Sequence, residues 1–217
     1  MSAWDERAAR AAERHDDGLA RLPGIPDERQ RQLTRMGNAA WAAGLSLLML
    51  GRRAEADAWL LRAADRYRES WPDAPPGSWG RPIGAMKACL IADDRQGACA
   101  DAEWALEARA GESESPIGRY AAVLAHLVRG DDTEAGRLAA TLQGRDDFPP
   151  TIADALAAIA ENDGSAYEPA VRAVLADFES RDAFLEDVPV ADTVLVLQGL
   201  AEARGLVVPF SSPLPPA

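Results

Sequence analysis

The chain has 217 residues, 23 basic against 35 acidic side chains for a net charge of −12, and only two cysteines and two histidines. Cys89, Cys99, His15 and His126 are too few for a disulfide framework or a zinc site, and the acidity opposes nucleic acid and anionic lipid as partners. Alanine is abundant while Val, Ile, Tyr and Phe are scarce, which favours closely packed helices over strands.

Taken in chain order, residues 3 to 21 are dense in charge, with a narrow apolar stripe of Trp4, Ala8, Ala11, Ala12 and Leu19. The pattern predicts a capping helix with a polar outer face within residues 1–25, and it lacks the apolar core of a signal peptide. Leu22 to Pro26 breaks that helix, and Pro26, Asp27 and Glu28 make a good first turn for the next, which runs to about Leu50. Its longest apolar run, Ala39 to Leu50, is 12 residues, against about 20 needed to cross a bilayer. No membrane partner is expected, and the chain reads as a single cytoplasmic domain over residues 1–217. Gly51 separates this helix from a second stripe of Ala56, Trp59, Leu60 and Ala63, so residues 38 to 64 form a helical hairpin.

Beyond the loop Trp71 to Gly80, helices are predicted over about 81–92 and 96–110, with GESES closing the pair. Ser115 followed by Pro116 signals a helix to Arg129, and Gly130 turns into a short helix ending near Leu142. After a break at residues 144–150, a helix is expected over 151–160. Ser165 with Glu168 reads as a capping box for a helix to about Phe184, and a last helix is expected from Val190 to Arg204. Gly205 stops it, and residues 206–217 form an extended, proline-rich tail.

Aligning the hairpins on the small residue that opens each second helix gives Ala56, Ala98, Ala135 and Ala170, at spacings of 42, 37 and 35. Such spacings belong to helix-turn-helix repeats, and the first copy resembles a tetratricopeptide motif, with Gly44, Gly51, Ala56, Leu60 and Ala63 at that motif's packing positions. The expected fold is all-α, a right-handed superhelix of antiparallel helix pairs; an irregular alanine-rich bundle is the competing architecture.

Adjacent acids at 16–17, 93–94, 131–132 and 146–147 read as solvated helix starts, not as a catalytic pair set across a cleft. His126, in an apolar run, is expected to pack and not to act as a base. GRPIG at Gly80 has neither the lysine nor the preceding strand of a phosphate loop, and no nucleophile elbow is present. No catalytic residue, metal or cofactor is therefore expected, and both cysteines are expected to be buried thiols. Trp41, Trp59 and Trp104 lie on helical stripes and read as core. Trp71 and Trp79 flank a proline-rich loop, where they either anchor a partner or pin the hairpin end.

Charge is unevenly placed. Residues 109 to 217 carry 8 basic and 18 acidic groups, a net of −10, which would speed encounter with a basic partner or serve solubility. The closing segment from Asp192 to Pro216 resembles the end of the immunity protein 49 family of polymorphic-toxin systems. The residues that carry the likeness are Leu195, Leu197, Leu200, Arg204, Gly205, Leu206, Val208, Ser212, Pro213, Leu214 and Pro215. That resemblance implies a non-catalytic antitoxin that binds and neutralises a cognate toxin. The contact set expected for a basic toxin is Asp131, Asp132, Glu134, Asp146 and Asp147, with Trp71 and Trp79. The alternative is a general tetratricopeptide-like scaffold that takes a peptide or partner protein in its groove.

Overall fold

A computed structural model describes residues 2–215, which form ten α-helices and no strand. The helices are α1 (Ala3–Ala20), α2 (Pro26–Met49), α3 (Arg53–Ser70), α4 (Gly80–Ile91), α5 (Arg95–Glu107), α6 (Pro116–Arg129), α7 (Asp132–Ala139), α8 (Pro150–Ala160), α9 (Gly164–Glu179) and α10 (Asp192–Glu202). From α1 to α9 each helix packs on its chain neighbours. None is long and apolar enough to cross a membrane.

Four turns repeat one backbone pattern. After α2, α4, α6 and α8 a single residue adopts a left-handed conformation: Gly51, Asp93, Gly130 and Asn162, with φ of 70°, 57°, 75° and 53°. In each turn that residue's N–H bonds three residues back, and the next N–H bonds five back: Gly51 to Leu48 and Arg52 to Leu47, Asp93 to Leu90 and Asp94 to Cys89, Gly130 to Leu127 and Asp131 to His126, Asn162 to Ile159 and Asp163 to Ala158. These paired bonds satisfy the last carbonyls of the first helix. The residue that follows is already the cap of the second: Asp94, Asp131 and Asp163 accept from Gly97, Glu134 and Ser165 backbone N–H groups. One residue therefore separates the end of one cap from the start of the next, and the two helices must fold back on each other.

The same pattern corrects the repeat register. The fourth helical residue, whose N–H bonds the cap carbonyl, is Ala56, Ala98, Ala135 and then Tyr167, not Ala170. Successive turns lie 42, 37 and 32 residues apart, as the left-handed positions at 51, 93, 130 and 162 require. Ala56, Ala98, Ala135 and Tyr167 are all fully buried, whereas Ala170 is half-buried. A tyrosine at the fourth position hides the copy from a search for small residues.

Other expectations also shift. Helix α9 is capped by Asp163, whose carboxylate accepts from Ser165 and Ala166, while Glu168 pairs with Arg172 in place of closing a capping box. It ends at Glu179, not near Phe184, and Phe184 instead stacks on Phe178 at 6.4 Å. Helix α7 stops at Ala139, short of Leu142. The last helix spans Asp192–Glu202 and not 190–204; Val190 and Ala191 are buried ahead of it. Gly205 does stop it, at φ 76°. Cys89 is buried as expected, but Cys99 is only half-buried.

The buried side chains form one continuous apolar cluster, in which alanines from α2, α4, α6 and α8 let the helix axes approach. Against this stack the chain turns back on itself. The 3-10 turn Leu185–Asp187 packs on α2, and α10 packs on α4, α8 and α9. Lys87 of α4 fixes the start of α10, donating to Asp192 at 2.6 Å and Thr193 at 3.2 Å. Arg204 fixes its end, donating to the Leu200 and Leu127 carbonyls at 2.7 and 2.8 Å and to Asp132 at 3.0 Å. Arg14 meets Glu186 at 2.7 Å, which ties the returning segment to α1 as well.

Candidate binding cleft

Several clefts open beside the returning segment; one of about 230 Å3 is lined by Arg7, Arg10, Arg14, Glu186 and Asp187, and two are larger. The smaller of these two, about 440 Å3, lies between α2, the start of α4 and the residues leading into α10. Trp41, Tyr67, Trp79, Ile83 and Leu185 give it apolar walls, and Thr34, Asn38, Arg81, Lys87 and Asp192 supply the polar groups. A small set of polar groups in an apolar concavity is the usual make-up of a ligand site.

Local sequence accounts for this geometry. Gly37 and Gly84 grip the ring of Tyr67 from two helices, since a Cβ on either would stand 2.7 Å from a ring carbon. The tyrosine hydroxyl donates to Asn38 Oδ1 at 2.9 Å, and burial raises its pKa. The loop 71–80 then brings Trp79 against Trp71, with ring centroids 5.9 Å apart, and Trp71 meets Trp104 edge-on at 5.3 Å. Lys87 lies 5.5 Å over the Trp41 ring while it holds Asp192.

Arg81 differs from the partly buried cations Lys87, Arg68 and Arg204. It is 7% exposed, donates through Nε to Thr34 Oγ1 at 3.3 Å and through Nη2 to Gln30 Oε1, and has no carboxylate within ion-pair distance among the described residues. Burial alone acts on its pKa, lowering it. By contrast Arg68, with its side chain 35% exposed, holds buried Asp101 in a two-pronged pair at 2.6 and 2.8 Å. Cys89 sits in that same cluster, where burial first and the Asp101 carboxylate second push its thiol up to about 12. It is a protonated packing group and not a nucleophile.

The wider cleft, about 900 Å3, runs along α10 beside the α2–α3 and α4–α5 turns, and includes Arg53, Arg95, Cys99, Gln198 and Arg204. Arg53 donates to the Ile91 carbonyl at 2.7 Å and pairs with Asp57, so its charge is already met.

The expected partner residues scatter and are partly used within the chain. Asp131 caps α7 and stands 3.1 Å from His126 Nδ1, Asp132 holds Arg204, Glu134 pairs with Arg137 at 2.8 Å, and Asp147 pairs with Arg145 at 2.7 Å. Asp146 is exposed and pairs with no cation among the described residues. Of the two loop tryptophans, Trp79 is buried and walls the smaller cleft while half-buried Trp71 packs behind it. Trp41 is buried as expected. Trp59 and Trp104 are half-buried at the edge of the core, and Arg62 lies 4.5 Å over Trp59.

Sequence reasoning misses Arg81, Tyr67 and Lys87 as cleft residues. Two signals are present in the chain: Lys87 is the sole lysine, and Arg81 lies in the GRPIG run, whose interest does not end with its failure to match a phosphate loop. No family model, curated protein or solved structure matches the chain.

Proposed function

We propose that this chain is a non-catalytic binding protein built as a helical-repeat superhelix, and that it serves as an immunity protein holding a cognate toxin inactive. The observation that supports binding most directly is the cleft, an apolar concavity lined by a buried arginine that no carboxylate meets among the described residues. The immunity reading rests on the resemblance of the closing segment and on the acidity of the second half. That segment also contributes to the fold, since Leu197 and Leu200 are buried and Arg204 fastens α10 to the α6–α7 turn. The general peptide-scaffold alternative is less favoured, because α10 already covers part of α4 and α8 and so narrows any groove along those helices.

An acidic contact with a basic toxin centres on Asp146, Asp147 and Glu134, since Asp131 and Asp132 are committed to capping α7 and holding Arg204. Reversing the charge of those three, with Asp131 and Asp132 left intact, should weaken the complex and flatten its dependence on salt. Unchanged affinity and an unchanged salt slope would remove the acidic surface from the account.

A further inference from the structure

We infer that the cleft between α2, α4 and the segment entering α10 is a site for a carboxylate carried on an aromatic or apolar body, with Arg81 as the group that receives it. The inference deepens the binding reading above and rests on that cleft being a ligand site.

The first ground is the arginine. A guanidinium removed from water is costly unless an anion or several acceptors meet it. Arg81 has two neutral acceptors, Thr34 Oγ1 and Gln30 Oε1, and its Nη1 makes no hydrogen bond to the described residues. Gln30 is itself buried, and its amide donates to Asp27 at 3.2 Å, so the acceptor that positions Arg81 is held in turn from behind. The guanidinium is thus held on its Nε and Nη2 side, while the Nη1 arm keeps contact with solvent, where an anion would replace water.

The helix that carries it is the second ground. Arg81 stands in the first turn of α4, where no acid is present and no side chain caps the end. The partial positive charge of that terminus adds to the guanidinium. Trp79, Gly80 and Arg81 all line the cleft, so both sources of positive potential act on the same space.

Charge and shape then select the anion. Lys87 is neutralised by Asp192 at 2.6 Å, which leaves a net of one positive charge among the ionised groups lining the cleft, Arg81, Lys87 and Asp192. A single charge suits a monoanion, and the Asp192 carboxylate in the same lining opposes a phosphate dianion. The Nη1 arm that Thr34 and Gln30 leave free offers a carboxylate a charge-assisted hydrogen bond. Trp41, Tyr67, Trp79, Ile83 and Leu185 provide the surface for an aromatic or alkyl body. Either a free small acid or the C-terminal residue of a partner polypeptide carries this chemistry.

The test is a titration of the intact wild-type chain with N-acetyl-phenylalanine, followed through the indole N–H signals of Trp41 and Trp79 and through tryptophan fluorescence. The expected result is a saturable change at those two indoles that N-acetylphenylalaninamide, which lacks the carboxylate, does not reproduce. Arg81→Gln should weaken binding on the order of tenfold or more, as loss of a charge-assisted hydrogen bond does, and Arg81→Lys should bind in between. Should Arg81→Gln fail to fold, the acid-against-amide comparison on the wild type still decides. Phenylacetate and a hexapeptide ending in a free phenylalanine carboxylate separate the two sources by which of them binds more tightly. No saturable change with the acid, equal binding of the amide, or displacement of the acid by inorganic phosphate would overturn the inference. Partner capture reads the immunity role separately, so a silent cleft in a chain that still neutralises its toxin, or the reverse, tells the two failures apart.

Discussion

Tyr67 is held between Gly37 and Gly84, and that grip sets the floor of the smaller cleft. At an open helical site, glycine to alanine gains about 1 kcal/mol. At Gly84 the new methyl meets a ring that cannot retreat, because Gly37 backs it and Asn38 holds its hydroxyl. Overpacking of this kind costs about 1–3 kcal/mol, so Gly84→Ala should lower the melting temperature. Gly199→Ala, in α10 with no atom within 4 Å of its new Cβ, should raise it. Thermal unfolding of the two variants reads opposite signs for one chemical change, and a shared sign would contradict the packing assigned to Tyr67. Thiols provide a second residue-scale test. Cys89 is buried with its pKa pushed up to about 12, whereas Cys99 reaches the wider cleft. A thiol reagent should label one cysteine in the native chain, Cys99, and both after denaturation. Rapid native labelling of Cys89 would place it outside the core.

Among the elements, the unit that recurs is the turn and not the helix. The helix that follows it varies from 8 residues in α7 to 18 in α3, yet all four turns share the same pair of backbone bonds. Two of the left-handed positions hold glycine, where that conformation is free of steric cost, and two hold Asp93 and Asn162. A non-glycine residue there costs about 1–2 kcal/mol, less for Asp and Asn. Asp93→Gly should therefore stabilise the chain by up to about 1 kcal/mol, while Gly51→Ala, with nothing near its new Cβ, should destabilise it by about 1–2 kcal/mol on conformation alone. Chemical denaturation of both variants measures the pair. The glycine turns are legible in the sequence because glycine announces the left-handed position, and α2, α3 and α6 follow from them. The fourth copy is displaced by three residues in a sequence alignment, since Asn162 gives a weaker signal and Tyr167 replaces the small residue that anchors the other three. Helix ends are lost where the sequence offers a competing cap: Asp163 and not Ser165 starts α9.

For the whole molecule, the decisive event is the return of the chain across its own stack. Periodicity identifies α10 as apolar on several sides but carries no information on where it docks, because docking depends on Lys87 and Arg204 reaching partners 105 and 72 residues away in sequence. That return completes both clefts, with Leu185 and Asp192 in the smaller and α10 in the wider, so neither can be read in full from hairpins taken singly. Arg204→Ala removes bonds to Asp132 and to two carbonyls, and charged hydrogen bonds of this kind are worth about 1.5–3 kcal/mol each where buried. Because Asp132 is 39% exposed, its pair is discounted, and the two carbonyl bonds set an expected loss of about 3 kcal/mol or more. Amide exchange should show α10 released before α2 and α3. Uniform exchange across all helices would mean that α10 is no separate layer.

The proposed immunity role is tested most directly by affinity capture from the native host at low salt, followed by expression of the captured protein alone and together with this chain. The account predicts one folded basic protein that arrests growth by itself and is silenced by co-expression, with a complex that weakens as salt rises. A captured protein whose toxicity this chain leaves untouched, or a complex indifferent to salt, would contradict it.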